Sequence, residues 1–244
     1  MEEKKDVFQC IRGVVGHELF ICLAAINSNT RAVLKDIDYL SDCDADFFVT
    51  TTPFYHGADQ DVIIDHYKQV IEHSFAPVIV YNIPSATGNP INLEVINALS
   101  PLKNTVGIKD SSGDFCQFSR GLFGERSDQF VWIQGEDYLC GPSFLSGADG
   151  AVTGLGNAKI EPYVAMYQAH LAKDSAGIIA CQAKINALYK IIHGAGFKNG
   201  NAAIKAVTEL EGRGSRWMRQ RGLTLSSEQI KRVAAILGEY HDLP

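Results

Sequence analysis

Val106-Gly107-Ile108-Lys109-Asp110-Ser111-Ser112-Gly113 begins as an apolar run and ends in a lysine followed by small polar residues. A second stretch, Val78 to Gly88 (VIVYNIPSATG), ends in the same manner with Tyr81. Both read as strands that stop at polar, reactive groups. Alternate side chains of a strand face opposite ways. If Lys109 and Tyr81 point to one side, Gly107 and Ile79 join them, while Val106, Ile108, Val78 and Val80 face the other. That second set is wholly apolar, as a sheet covered by helices requires.

Working outward, similar runs recur at Phe20 to Ala25, Phe47 to Thr50, Phe130 to Gln134 and Gly150 to Gly154. Amphipathic helical patterns lie between them, among them Val62 to Ser74 and Leu93 to Leu99, the latter with Asn92 as N-cap. Strand and helix alternating at this spacing predict parallel strands joined by crossover helices. A doubly wound sheet fits the periodicity nearly as well as a barrel. No GxGxxG follows a first strand, however, and polar groups end strand after strand at Asn27, Tyr81, Lys109, Gln134 and Thr153, which favours a barrel of the (β/α)8 type. After Gly156 the pattern is helical: Ile160 to Ala172, Ser175 to His193, Asn201 to Glu211 and Ser226 to Tyr240, the last with Ser226 and Gln229 at capping-box spacing. The expected organisation is a partial barrel over residues 1–158 and C-terminal helices over 159–244.

The chain has 244 residues, 46% hydrophobic and 20% charged, with a formal net charge of −6. An acidic balance disfavours nucleic acid, and no apolar run approaches the roughly 20 residues of a membrane span. The N-terminal residues do not lead into a signal-peptide core, so a cytoplasmic protein is expected. The six cysteines stand far apart and are expected to be reduced and mostly buried. The seven histidines show no HxH or HExxH arrangement, and no metal is expected.

Neighbouring parallel strands lie about 4.8 Å apart, so Tyr81 and Lys109 can come within reach of each other. Burial disfavours the charged form of an amine, and a neutral lysine can attack a ketone to form a Schiff base. The alternative for Lys109 is a structural cation paired with Asp110, Asp114 or Glu136. For Tyr81 it is a core phenol with a bonded hydroxyl. Arg213, Arg216, Arg219 and Arg221 cluster near Trp217 and read as a solvated turn or subunit contact. The loop from Gly194 to Gly200 lacks the order of a phosphate-binding loop.

Together, VYNIPSATG, VGIKDSSGD, TTPFYHG and GADGAVTGLGN resemble, in order, signatures of the dihydrodipicolinate synthase and N-acetylneuraminate lyase superfamily. The resemblance implies a (β/α)8 barrel with extra C-terminal helices, needing no cofactor and assembled as a homo-oligomer, dimer or tetramer. It makes Lys109 the Schiff-base lysine toward pyruvate or another 2-keto acid, and Tyr81 the proton relay. Tyr55 becomes the tyrosine that in the synthases reaches the neighbouring subunit's site, and Val152, with Thr153 beside it, the contact to the pyruvyl group. Ala86 stands where the synthases carry a carboxylate-gripping arginine. That departure turns the expectation toward aldolases of 2-keto-3-deoxy sugar acids, with a synthase or dehydratase as the alternative. The sequence also lacks the family's first strand, first helix and second strand, together with the Gly-Thr-Thr-Gly-Glu loop that holds the substrate carboxylate. This predicts a TIM-type barrel without about its first two strands, with edges along Phe20 to Ala25 and Gly150 to Gly154. Low stability and negligible activity are expected of such an arc, and a truncated, non-catalytic paralogue is the rival reading.

Overall fold

The computed structural model describes residues 2–124, 127, 129–193, 200–220 and 222–241. It divides into two compact units, Met1–Ile133 and Gln134–Pro244.

The first unit runs α1 (Glu2–Val15), β1 (Cys22–Ala24), α2 (Thr30–Tyr39), β2 (Phe47–Thr51), α3 (Gln60–His73), β3 (Val78–Asn82), α4 (Pro84–Thr87), α5 (Leu93–Leu99), β4 (Thr105–Asp110), α6 (Phe115–Leu122) and β5 (Val131–Gln134), the last strand ending on the first residue of the second unit. The second runs α7 (Cys140–Leu145), β6 (Gly150–Ala151), α8 (Glu161–Leu171), α9 (Ser175–His193), α10 (Gly200–Leu210) and α11 (Ser227–His241). The strands follow chain order in the sheet, β1 through β6, the order that successive β-α units generate, and those from β1 to β4 pair in parallel. No described helix is long and apolar enough to cross a membrane.

Side-chain caps start several of these helices. Asn29, Asn92 and Asp114 accept from the amides of Ala32, Val95 and Gln117, each satisfying a donor that the first helical turn leaves free. Ser226 and Gln229 form the expected reciprocal capping box. The short α4 ends at Gly88, whose φ of 73° is the left-handed conformation that glycine adopts without strain.

In the first unit, Phe48, Val78, Val80 and Ile108 on one sheet face are fully buried, together with Ile63, Tyr67 and Val70 of α3 and Val95 and Leu99 of α5. Each such side chain contributes roughly 1.5–3 kcal/mol on burial. The opposite face carries Val49, Ile79, Tyr81 and Lys109, all only half-buried. The predicted alternation therefore holds for β3 and for Ile108, but Val106 departs from it. Val78 pairs with Thr105 and Ile79 with Gly107, so Val106 is an extra residue in the ladder and is half-buried. Beyond it the register is regular, and Tyr81 lies directly beside Lys109. Gly107 is buried against β5: a Cβ there would lie 2.4 Å from both Val131 Cγ2 and the Val131 carbonyl oxygen.

Five of the six strand expectations shift at their ends: β2 runs one residue further, to Thr51, and β5 starts one residue later, at Val131. β1 begins at Cys22 because Phe20, 79% exposed, lies outside the ladder and meets Phe47 edge-on. β4 begins one residue earlier, at Thr105. β6 stops at Ala151 because the chain turns into a 3₁₀ segment over Leu155–Asn157. The cysteines are also corrected. All six are free, but only Cys43 and Cys140 are buried, since Cys10 and Cys116 occupy solvent-facing helix positions and Cys22 is exposed on β1.

The second unit packs around α9, whose Ile178, Ile185, Leu188 and Ile191 repeat at helical spacing and join Met166, Ala203, Val207 and Val233 in one core. The arginines near Trp217 are engaged internally. Arg213 binds Glu211 and the carbonyls of Asn157 and Ala158, and Arg216 pairs with Glu209 at 2.8 Å. Arg221 and residues 194–199 of the glycine-containing loop lie outside the described residues.

Candidate active site

β3 and β4 end together, and their register sets Tyr81 against Lys109. The Lys109 Nζ rests over the Tyr81 ring, 4.2 Å from its centroid. The amine therefore meets the π-face and not the phenol oxygen, an arrangement that attracts a cation. The Tyr81 hydroxyl is approached by Ser111 Oγ, at a long 3.5 Å. From behind, the buried Tyr67 hydroxyl donates to the Thr50 carbonyl at 3.1 Å, close to the Tyr81 backbone. The strand end is thus braced by an aromatic of α3.

No described carboxylate forms an ion pair with Lys109. The partners considered for a structural cation have other work. Asp110 faces the buried side, where its Oδ1 accepts from Ser112 N at 2.7 Å and from Asn82 Nδ2 at 3.4 Å. Burial pushes its carboxyl above the usual range despite these bonds, and Oδ2 has no partner. Asp114 caps α6, and Glu136, in the second unit, caps the 3₁₀ turn Asp137–Leu139. Cys22, exposed on β1, lies within electrostatic reach of Lys109.

The loops at these strand ends are tied together by buried amides. Asn82 Oδ1 accepts from Ile91 N at 3.0 Å while its Nδ2 reaches Ile91 O and Asp110. Asn89, 4% exposed, holds the loop after β2 by three side-chain bonds, to Pro53 O, His56 O and Ala58 N. That loop carries Tyr55, whose side chain is 88% exposed and whose φ is 87°. Beneath β2, the buried His66 donates from Nε2 to the Thr51 carbonyl and accepts at Nδ1 from the Thr30 hydroxyl. Desolvation lowers its pKa to about 4, so the ring is neutral. Ser111, His66, Asn82 and Asn89 were not singled out from sequence. Asn82 and Ser111 stand at strand ends, Asn89 follows α4 and His66 lies on α3, and a polar residue at any of these places does not by itself say which partner it will meet.

Ala86 sits exposed on α4, where its methyl group offers an anion nothing. In the second unit, Val152 donates its backbone amide to Gln134 O at 2.9 Å and exposes its side chain. Thr153 lies beside the Asp137 carboxylate and the Tyr163 hydroxyl, and that hydroxyl donates to Asp137. Burial raises the Asp137 carboxyl.

Residues 1–240 match the model of the dihydrodipicolinate synthetase family. A 4-hydroxy-tetrahydrodipicolinate synthase of Karelsulcia muelleri is 26% identical over 227 residues, covering 90% of this chain and 73% of that protein. A DapA-like lyase of Halobacterium salinarum is 29% identical over 212 residues, covering 86% of this chain and 67% of that protein. Among solved structures, a prophage protein of E. coli K12 in complex with pyruvate superposes with a TM-score of 0.87 at 20% identity. It covers all of this chain and 82% of that one.

Proposed function

The chain belongs to the dihydrodipicolinate synthetase family, and from that premise we propose that it is a Schiff-base aldolase that cleaves a 2-keto-3-deoxy sugar acid through Lys109. The observation that carries the proposal is the register pair: an amine with no ion-pair partner among the described residues beside a phenol, both at strand ends. In its neutral form Nζ leaves the ring face and adds to the keto carbon, and loss of water gives the imine. The protonated imine takes up the electron pair of the breaking carbon–carbon bond while the substrate hydroxyl passes its proton to the Tyr81 oxygen and Tyr81 passes its own through Ser111 to solvent water, releasing an aldehyde. The enamine gains a proton at carbon, and water then hydrolyses the imine to give pyruvate and free Lys109.

The E. coli structure contains pyruvate, which supports pyruvate as the keto-acid half. The proposal also takes Val152 and Thr153 as contacts of the pyruvyl group, through the resemblance, and a homo-oligomer as the working form. The direct test is borohydride reduction with pyruvate, which adds a stable pyruvyl mass at Lys109. Label persisting in Lys109→Ala excludes the assignment. Lys109→Arg is equally unlabelled, because a guanidinium stays protonated.

Ala86 supports the sugar-acid substrate over aspartate semialdehyde, since α4 lacks a cation at that position. Purified protein should cleave 2-keto-3-deoxygluconate and form no cyclised product from pyruvate plus aspartate semialdehyde. The reverse outcome supports the alternative of a dihydrodipicolinate-type synthase, the activity for which the Karelsulcia relative is named. A non-catalytic reading draws on one observation: the amine rests in a cation-favouring position over the ring. Failure of borohydride trapping at any pH up to 9 would establish it.

A further inference from the structure

Among the described residues of the first unit, Tyr55 alone combines a side chain with left-handed backbone geometry. For an aromatic residue that conformation is costly and persists only when its surroundings impose it. Nothing done by the side chain explains it. The phenol is 88% exposed, its hydroxyl has no partner among the described residues, and its one aromatic contact among them is His56, edge-on at 4.8 Å. The constraint lies on the other side of the loop. Asn89 Nδ2 donates to Pro53 O at 2.7 Å and His56 O at 2.8 Å, and Oδ1 accepts from Ala58 N at 2.9 Å. These contacts bracket Tyr55 and engage both ends of the amide. Asn89 is itself anchored, because its carbonyl accepts from the hydroxyls of Thr52 and Thr87. The loop leaves β2 just beyond Thr51, the register neighbour of Tyr81.

We propose that Asn89 is a positioning residue that locks Tyr55 in its left-handed conformation, presenting the phenol as a fixed group for the reaction at Lys109. This rests on the Lys109 reading. A rigidly held aromatic side chain pays little entropy when it meets its target, and that is the gain from holding it so.

Two cycles built from Tyr55→Gly, Asn89→Ala and the double variant test it. Glycine relieves the left-handed strain, and its cost in the unfolded chain is the same in both backgrounds. Tyr55→Gly should therefore be more favourable to Tm in the otherwise wild-type chain than in the Asn89→Ala background, by about 2 °C or more. Equal shifts in the two backgrounds overturn the clamp. In turnover, each single variant should lose about tenfold or more in kcat while borohydride trapping at Lys109 persists. Asn89→Ala should cost less than about twofold further once Tyr55 is glycine, because it acts through that residue. Multiplying losses overturn the positioning role. If Asn89→Ala does not fold, Asn89→Asp replaces it, keeping the acceptor for Ala58 and removing both donated bonds. If the wild-type chain traps no pyruvate, the Lys109 reading fails and takes the catalytic half of this inference with it, while the melting comparison still decides the clamp.

Discussion

Tyr81 makes two contacts of different kinds, its ring with Lys109 and its hydroxyl with Ser111, and a single substitution separates them. Phenylalanine at 81 keeps the ring face that holds the amine at 4.2 Å and removes the oxygen that Ser111 approaches. Tyr81→Phe should thus retain pyruvate trapping at Lys109 while kcat falls by about 10²-fold, the scale of a positioned acid-base group. Steady-state kinetics beside mass spectrometry separate the two effects, and unchanged kcat would return Tyr81 to a packing role. Both residues were legible in the sequence because each ends an alternating apolar run. The orientation of the amine over the ring was not legible, since it depends on side-chain torsions that no spacing encodes. Asn82 and Asn89 were hidden for a different reason. Their partners are mostly backbone carbonyls and amides brought close only by the fold, and an asparagine at a strand end or in a loop has the same local appearance whatever it meets.

At the scale of elements, β3, α5 and α9 have the bounds that periodicity and caps foretell, because local signals and burial agree there. Disagreement appears where tertiary contacts decide the ends, as at Phe20 and after Ala151. β4 approaches β5 tightly at Gly107, which admits no Cβ without displacing the Val131 backbone. Gly107→Ala should therefore cost about 2 kcal/mol or more in urea unfolding, the usual scale of overpacking, and should disturb Lys109 two residues away. A stability within about 0.5 kcal/mol of wild type would mean that β5 moves aside freely. The sequence supplied the glycine but not the reason for it, because Val131 is 24 positions away.

For the molecule as a whole, the unfolding equilibrium reports groups that titrate differently in the folded and unfolded chain. His66 is ordinarily half-protonated near pH 6.5, and the fold lowers that to about 4. Its folded state favours the neutral ring, so the contribution is fully present above pH 6.5. It is lost as pH falls from there toward 4, to a total on the order of 3 kcal/mol. Asp110 and Asp137, raised by burial, act in the opposite sense on acidification and blunt the net slope. The comparison is therefore between wild type and His66→Gln. The variant should melt lower at pH 7.5 and lose less Tm than wild type between pH 7 and 4.5. Parallel melting curves would place the acid sensitivity elsewhere. Composition correctly indicated an ordinary globular chain, and alternating strand and helix indicated parallel pairing. A buried neutral histidine under the sheet was beyond reach of either.

The extra residue at Val106 gives the wall of strands a phase. Without it, Ile79 would stand beside Val106, Tyr81 beside Ile108, and Lys109 beside Asn82 on the side packed with helices. One inserted position therefore decides whether the amine and the phenol share a compartment. Shortening β4 by a single residue would act like a frameshift in space, leaving every atom of the chemistry in the chain and placing the nucleophile behind the partition. Transplanting this pair into another parallel sheet requires carrying the irregularity along with the two side chains.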